Sequence, residues 1–286
     1  MTEGLLVLQS DFGISDGAVS AMHGVANSVK RGLPIYDLTH QIPQFNIWEA
    51  SYRLLQTINY WPEETVFVSI VDPGVGSDRK SVVVKTEQNQ YIVTPDNGTL
   101  THVNKFIGIK EIREIDETVN RLPRSGESHT FHGRDVYAYT GARLATGTIT
   151  FEEVGPKLPL SSIVELPLKD SVLSDQSAVG IIDIIDRPFG NLWTNINREQ
   201  FLQLHGSYGD TFDVTISSNG RNVFEGTLTF GKSFAVCKIG EPLLYINSLD
   251  NVGIAFNQRS FAETYGIAAG TDWEVKIRKT ALRVVS

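Results

Sequence analysis

The sequence predicts two domains, an α/β domain with a Rossmann-like sheet followed by an all-β domain built as a small barrel or sandwich. Over the first half, strand-like apolar runs alternate with segments whose apolar residues recur at helical spacing. From about residue 177 only short strand-like runs follow, with no convincing helix among them. Pro156, Pro159 and Pro167 interrupt regular structure between the halves. We expect an N-terminal α/β domain over 1–165, a linker over 166–176 and a C-terminal β-barrel over 177–286.

Five runs of the first half are interpreted as strands, and β-branched and aromatic residues dominate the run over 65–71 in particular. They cover residues 4–8, 35–38, 65–71, 81–85 and 90–94. The seven short runs of the second half cover 179–186, 192–196, 211–217, 223–230, 243–246, 253–256 and 273–277.

Three helices are expected between these strands, ending at about Lys30, Asn59 and Ala145. Ser15 or Asp16 is a plausible N-cap for the first helix. For the second, Asn46 followed by Glu49 resembles a capping box. The third begins at about Arg134, and Gly147 just past its end is a candidate for the C-terminal cap.

Composition excludes several classes of protein. The 286 residues carry a formal net charge of −8, which argues against binding to nucleic acid or to an anionic membrane surface. Cys237 is the only cysteine, so no disulfide framework or thiolate metal cluster is expected. The first strand begins too early for a signal peptide, and no apolar run approaches 18 residues. We therefore expect a soluble, cytoplasmic protein.

The segment from Val71 to Arg79 is the first candidate site. Asp72 directly follows a buried strand, at the sheet edge where α/β folds place their ligand crevice. The Pro-Gly-x-Gly sequence that follows can turn the backbone tightly and bring Arg79 back towards the carboxylate. The alternative is that Asp72 caps a turn and that Arg79 is merely solvated.

Three further groups of polar residues are candidates for ligand binding. Asp11, in the loop after the first strand, is suited to bind the vicinal hydroxyls of a ribose, whereas Asp16 fits helix capping better. His132 precedes a helix whose first backbone N–H groups can receive an anion, although a histidine here is also compatible with a structural role. Asp186 and Asn191 lie in a polar loop that can hold an amino-acid head group or can simply form a β-turn.

Other signatures of catalysis or metal binding are missing from the sequence. There is no Walker loop, no G-x-G-x-x-G after the first strand, no H-E-x-x-H and no G-x-S-x-G. The histidines other than His132 have no metal-ligand spacing, and we interpret all five as structural or solvated: His23, His40, His102, His129 and His205. The sequence therefore predicts no metal site and no cofactor.

Seven segments, in order along nearly the whole chain, resemble the S-adenosyl-L-methionine (SAM) hydroxide adenosyltransferases, the adenosine-forming SAM hydrolases related to fluorinases and chlorinases. They are residues 11–17, 37–40, 71–76, 95–98, 131–135, 189–191 and 245–248. The resemblance implies an N-terminal α/β domain, a C-terminal β-barrel and a homotrimer. It also implies active sites between the N-terminal domain of one subunit and the C-terminal domain of a neighbour.

The resemblance also implies the catalytic residues, because the Asp-Arg-His set of the family falls on Asp72, Arg79 and His132. The halogenating relatives typically have Tyr at the position of Asp72. Asp11 corresponds to the residue that holds the ribose hydroxyls, and Phe45 to an aromatic side chain against the nucleoside.

The C-terminal domain supplies the other implied contacts. Asp186 and Asn191 correspond to residues that contact the methionine amino and carboxylate groups, and Ser248 to another carboxylate contact. Leu249 departs from the relatives, which often have Arg there, and residues 256–258 lack a basic residue that some members have.

The implied activity is hydrolysis of SAM to adenosine and L-methionine, with SAM as a substrate rather than a cofactor and without a metal. An Arg cation beside a carboxylate and an imidazole suits this chemistry, because the three can hold and deprotonate a water molecule. Two other activities stay open, a SAM-dependent halogenase and an enzyme acting on another nucleoside sulfonium. A third reading is a non-catalytic protein that binds SAM or adenosine.

Overall fold

A computed structural model describes residues 4–126, 130–174 and 176–280. The chain divides into two compact units between Leu166 and Pro167. The fold class predicted from the sequence, an α/β domain followed by a β-barrel, is confirmed. No helix in the described part of the chain is long and apolar enough to cross a membrane.

The first unit contains a seven-stranded sheet. Its strands are β1 (Leu6–Ser10), β2 (Ile35–Thr39), β3 (Val66–Ile70), β4 (Ser81–Thr86), β5 (Tyr91–Pro95), β6 (Ile109–Glu114) and β7 (Lys157–Leu158). They are ordered β2-β1-β3-β5-β4-β6-β7. The first four in this order are parallel, and the others pair antiparallel. The carboxyl ends of β1, β2, β3 and β5 therefore share one edge, where ligands of open α/β sheets bind.

Helices cover both faces of this sheet. They are α1 (Ala18–Val29), α2 (Ile47–Ile58), α3 (Thr101–Phe106) and α4 (Tyr139–Ala145), and a π-helical segment, Gly133–Ala138, leads directly into α4. Leu6 and Leu8 of β1 pack in the same cluster as residues of α1 and α4. Val7, between them, packs with α2 and α3 on the opposite face. This alternation follows from the two-residue period of a strand.

Two of the three predicted helix caps are confirmed, whereas the N-cap predicted for α1 at Ser15 or Asp16 is wrong by at least one residue. Asn46 caps α2, and its side chain accepts a hydrogen bond from the Glu49 N–H at 2.9 Å. At the start of α1 the cap position is Gly17, while the Asp16 carboxylate accepts from the Ala18 N–H at 2.9 Å. Gly147 follows α4 with φ 66°, the left-handed conformation expected after a helix end.

The second unit is a barrel. Its strands are β8 (Val172–Leu173), β9 (Ser177–Asp186), β10 (Asn191–Asn197), β11 (Thr211–Ser218), β12 (Arg221–Phe230), β13 (Pro242–Ile246), β14 (Asn251–Phe256) and β15 (Trp273–Lys279). A seven-stranded ring closes because β9 pairs with both β10 and β15, and β8 adds to β9 outside the ring. Closure removes free strand edges, which explains why the alternative of an open sandwich is not adopted.

The expectation of no helix in the second half is wrong. Two five-residue helices, α5 (Arg198–Leu202) and α6 (Phe261–Tyr265), follow β10 and β14. Phe201 and Phe261 are fully buried in the barrel core, so each helix supplies one large apolar side chain. Helices this short bury too few residues to produce a recognisable apolar period.

Candidate active site

Asp72 follows β3 at the carboxyl edge of the first sheet, as the sequence predicts. The side-chain amide of Asn97, from the turn after β5, donates to the carbonyl of Val71 at 2.8 Å and so fixes the backbone before Asp72. The turn that follows is closed by the Ser77 N–H and hydroxyl, which both donate to the Gly74 carbonyl. Gly76 adopts φ 81°, a conformation that favours glycine. This turn returns the chain so that Arg79 faces Asp72.

Arg79 holds Asp72 in a bidentate ion pair. Its Nε lies 2.8 Å from Oδ1 of Asp72 and its Nη2 lies 2.5 Å from Oδ2. Nη1 donates to the Ser81 hydroxyl at 2.9 Å, and that hydroxyl lies 3.1 Å from the hydroxyl of Tyr137. Both charged side chains are largely buried, with 11% of Arg79 and 7% of Asp72 exposed. The alternative that Arg79 is merely solvated is therefore wrong.

His132 completes a contiguous set with these two residues. Its Nδ1 lies 3.1 Å from Nη2 of Arg79. A guanidinium can only donate, so Nδ1 accepts this hydrogen bond and the neutral ring carries its proton on Nε2. Burial lowers the pKa of His132, and the charge of Arg79 lowers it further. The ring is therefore neutral at neutral pH.

The π-helical segment that begins directly after His132 sets the position of this ring. Gly133 leaves room for Phe12, since a Cβ there would lie 3.1 Å from the Phe12 ring. Asp135 is fully buried and paired with Arg134 at 2.7 Å. The side chain of Tyr137, from the same segment, packs under Arg79 with its ring centroid 5.6 Å from the guanidinium carbon. Wide helical turns of this kind occur often at functional sites.

A cavity of about 500 Å³ opens beside the three residues in the first unit. Its lining includes Asp72, His132, Asp11 and Phe45, together with the rings of Phe12 and Phe131, which meet edge to face at 5.6 Å. The size suits a small molecule, and apolar rings with a few convergent polar groups are typical of such sites.

Asp11 and Phe45, which both line this cavity, are joined by a hydrogen bond. Oδ2 of Asp11 accepts from the Phe45 N–H at 2.8 Å, and Phe45 has φ 66° with 67% of its surface exposed. A bulky residue rarely adopts this left-handed conformation, so the bond to Asp11 helps to stabilise it. Asp11 keeps further acceptor lone pairs for a ligand.

A second cavity, of about 790 Å³, lies within the second unit. Asp186, Asn191 and Ser248 all line it, as do the rings of Trp193 and Tyr245. The Trp193 N–H donates to the Tyr245 hydroxyl at 2.9 Å, and burial raises the pKa of Tyr245 to about 12. Tyr245 therefore stays neutral across the physiological pH range.

The turn between β9 and β10 positions the polar residues of this second cavity. Gly190 has φ 67° and donates to the Asp186 carbonyl at 2.7 Å, and a Cβ on it would collide with Ser260. The Asn191 amide donates to Oδ2 of Asp186 at 3.1 Å. The β-turn that the sequence offered as an alternative does form, and Asp186 and Asn191 of this turn also line the cavity.

Sequence reasoning missed two features of this region. Ser81 and Tyr137 were not singled out, because only the fold brings them to Arg79. His23, Asp37 and His40 also come together, with Nε2 of each histidine within 3.1 Å of Oδ1 of Asp37. The Asp-x-x-His spacing of Asp37 and His40 was a signal for this second cluster.

Comparison with known proteins places these sites in context. The family model described as the SAM hydroxide adenosyltransferase N-terminal domain matches residues 6–155, and the model of the C-terminal domain of that family matches residues 180–274. A protein of Methanocaldococcus jannaschii named (R)-S-adenosyl-L-methionine hydrolase is 40% identical over 217 residues, which cover 74% of this chain and 73% of the relative. A fluorinase of Nocardia brasiliensis is 30% identical, covering 96% of this chain and 97% of its own.

Solved structures resemble the chain over the same extent. The crystal structure of an uncharacterized conserved protein from Thermotoga maritima is 33% identical, with a TM-score of 0.85, and covers 96% of this chain and all of its own. A conserved hypothetical protein from Thermus thermophilus is 27% identical, with a TM-score of 0.71 and the same coverage.

Proposed function

The chain belongs to the SAM hydroxide adenosyltransferase family, and we propose that it hydrolyses SAM to adenosine and L-methionine. The observation that carries this proposal is the contact of Asp72, Arg79 and His132 beside a cavity of about 500 Å³. Relatives named (R)-S-adenosyl-L-methionine hydrolase support the same activity.

In the proposed reaction a water oxygen attacks C5′ of the ribose in line with the C5′–S bond. The new C5′–O bond forms as the C5′–S bond breaks, and its electron pair neutralises the sulfonium of the departing methionine. The water loses one proton, so the balanced products are adenosine, L-methionine and H⁺. Alignment of a bound nucleophile can supply about 7–11 kcal/mol of the rate acceleration.

We assign the proton to Asp72. Nδ1 of His132 accepts a hydrogen bond from Arg79 and its Nε2 already carries the ring proton, so neither ring nitrogen is available to take the proton of the water. Each carboxylate oxygen of Asp72 accepts one hydrogen bond from Arg79 and keeps a second lone pair. Arg79 orients the carboxylate, and its charge favours hydroxide character in the attacking water.

The substrate-binding roles are assigned to residues that line the two cavities. Asp11 binds the ribose hydroxyls and Phe45 packs against the nucleoside, whereas Asp186, Asn191 and Ser248 bind the amino and carboxylate groups of methionine. The carboxylates of Asp11 and Asp186 favour a cationic substrate. A halide in place of the water would be repelled by Asp72, which argues against a halogenase.

Labelled water tests the proposed reaction. In H₂¹⁸O, the chain should convert SAM to adenosine that carries ¹⁸O at the 5′-hydroxyl, measured by chromatography and mass spectrometry. The matched control adds excess chloride or fluoride, and no 5′-halogenated nucleoside should form. Absence of adenosine, or ¹⁸O in the methionine instead, would contradict the proposal.

We further propose that the enzyme is a homotrimer whose active sites combine the first cavity of one subunit with the second cavity of a neighbour. Light scattering should then give three times the chain mass of 31.6 kDa. With SAM far below KM, where Asp72→Asn and Asp186→Asn trimers are both impaired, randomly mixed trimers of the two should regain wild-type turnover in about one quarter of their sites, because those sites receive two intact halves. If each site belonged to one chain, mixing would give only the average of the two parent activities.

A further inference from the structure

A cluster of two histidines and one carboxylate lies in the first unit, apart from the residues that line the catalytic cavity. His23 is on α1, Asp37 is in β2 and His40 follows the end of β2. None of the three lines either of the two cavities described above. The proposed hydrolysis gives this cluster no role.

The three donor atoms have the spacing of metal ligands. Oδ1 of Asp37 lies 2.9 Å from Nε2 of His23 and 3.1 Å from Nε2 of His40. All three donor atoms lie within 4.8 Å of one another. With Zn–N and Zn–O bonds of about 2.0–2.2 Å, neighbouring ligand atoms of a tetrahedral ion are about 3.3 Å apart. Small side-chain adjustments would therefore place one ion among the three atoms.

The ring of His40 makes a second hydrogen bond through Nδ1, as metal-binding histidines usually do. Its Nδ1 lies 2.6 Å from the hydroxyl of Ser10, which is fully buried at the end of β1. A histidine that ligates through Nε2 usually donates its Nδ1–H to a neighbouring oxygen, and Ser10 supplies that oxygen. Only 2% of the His40 side chain is exposed, so the ring has little freedom to turn away.

The other two ligands leave a path for the ion. The side chains of His23 and Asp37 are 33% and 44% exposed, so an ion can enter from solvent and keep a water in its fourth position.

We propose that His23, Asp37 and His40 form a binding site for a divalent transition-metal ion, with Zn²⁺ as the preferred occupant. Two imidazoles and one carboxylate suit Zn²⁺ and Co²⁺, whereas Mg²⁺ prefers a full set of oxygen ligands. The ion would tie α1 to β2. It would also brace the loop that carries Asp11, because the His40 carbonyl accepts from the Gly13 N–H at 2.8 Å.

Zinc binding to the chain without an affinity tag tests the proposal. Titration against a chromophoric chelator should give one Zn²⁺ per chain with a micromolar or tighter dissociation constant, and Zn²⁺ should raise Tm. Co²⁺ should give visible absorption of a tetrahedral site, and excess Mg²⁺ should not displace it. Failure of the wild-type chain to bind Zn²⁺ in this range overturns the proposal.

Variants locate the ion. His23→Ala and Asp37→Asn should each weaken zinc binding at least tenfold and abolish the rise in Tm. The matched control is His205→Asn, which removes an exposed imidazole of the second unit where φ is 55° and Asn is tolerated. His205→Asn should bind zinc as the wild type does. Unchanged affinity in both His23→Ala and Asp37→Asn would mean that the proposed site is wrong.

Discussion

Replacement of Asp72 by Asn is the sharpest test of the proposed mechanism. Asn has the shape of Asp and keeps one acceptor oxygen for Arg79, but it has no negative charge and cannot take up the water proton. Loss of a general base typically costs about 10²–10⁴-fold, or about 3–5 kcal/mol in the activation barrier. We expect kcat to fall by this factor while KM for SAM changes little.

The same substitution has a separate cost in stability. Arg79 is only 11% exposed and loses the partner that now binds two of its nitrogens. Removing one partner of a buried ion pair costs about 3–5 kcal/mol. For a unit of this size that corresponds to a fall in Tm of about 6–20 °C. Because Asn keeps one acceptor oxygen for Arg79, we expect a fall in Tm at the lower end of this range.

A double variant separates the two effects. Asp72→Asn combined with Arg79→Met removes both charges, so it should recover much of the lost Tm but none of the lost turnover. Activity is measured as adenosine released from SAM, and Tm by calorimetry. Wild-type turnover in Asp72→Asn, or recovered turnover in the double variant, would refute the role assigned to Asp72.

Three further predictions concern other parts of the molecule. Burial lowers the pKa of His132 below its ordinary value of about 6.5. The value of kcat/KM should therefore stay constant above pH 7 and fall only in acid. A profile whose acid limb is centred above pH 7 would contradict a neutral ring. Asp186→Asn should raise KM for SAM about tenfold, or about 1.4 kcal/mol, with a smaller effect on kcat, and an unchanged KM would exclude Asp186 from substrate binding. Asn46→Ala should lower the free energy of unfolding in urea by about 0.5–2 kcal/mol, whereas Asn46→Asp, which keeps the cap, should not; equal losses would show that the cap is not responsible.

Local chemistry made part of this molecule predictable. The N-cap at Asn46 and the turn from Asp72 to Arg79 depend on residues close together in sequence. All seven strands of the barrel ring carry apolar runs bounded by turn residues. The position of Asp72 at the carboxyl edge follows from the parallel order of the neighbouring strands.

Other elements gave weaker or misleading signals. In β6, Ile109 and Ile112 are both buried although they are three residues apart, because a register shift near Lys85 changes the alternation along the strand. The short helices α5 and α6 do carry a readable signal in their caps. The side chains of Asn197 and Ser260 accept from the N–H groups of Gln200 and Glu263, three residues on.

Contacts between residues that are far apart in the sequence could not be predicted from the sequence alone. Ser81 and Tyr137 meet Arg79 only because β4 and the π-helical segment are neighbours in the fold. His23 meets Asp37 in the same way, since α1 packs beside β2. The roles assigned to the eight candidate residues remain predictions, although all of them except Arg79 line one of the two cavities.

The wide turn at Gly133–Ala138 already holds one residue more than an ordinary α-helix would. Deleting a single residue there would let the segment relax into an α-helix without a large rotation, because the wider turn takes up the extra residue. Adding a residue would instead rotate everything before it by about 100° relative to α4, and the imidazole of His132 would swing away from Arg79. A one-residue insertion in this segment would thus separate the three residues of the proposed catalytic set while leaving each side chain chemically intact.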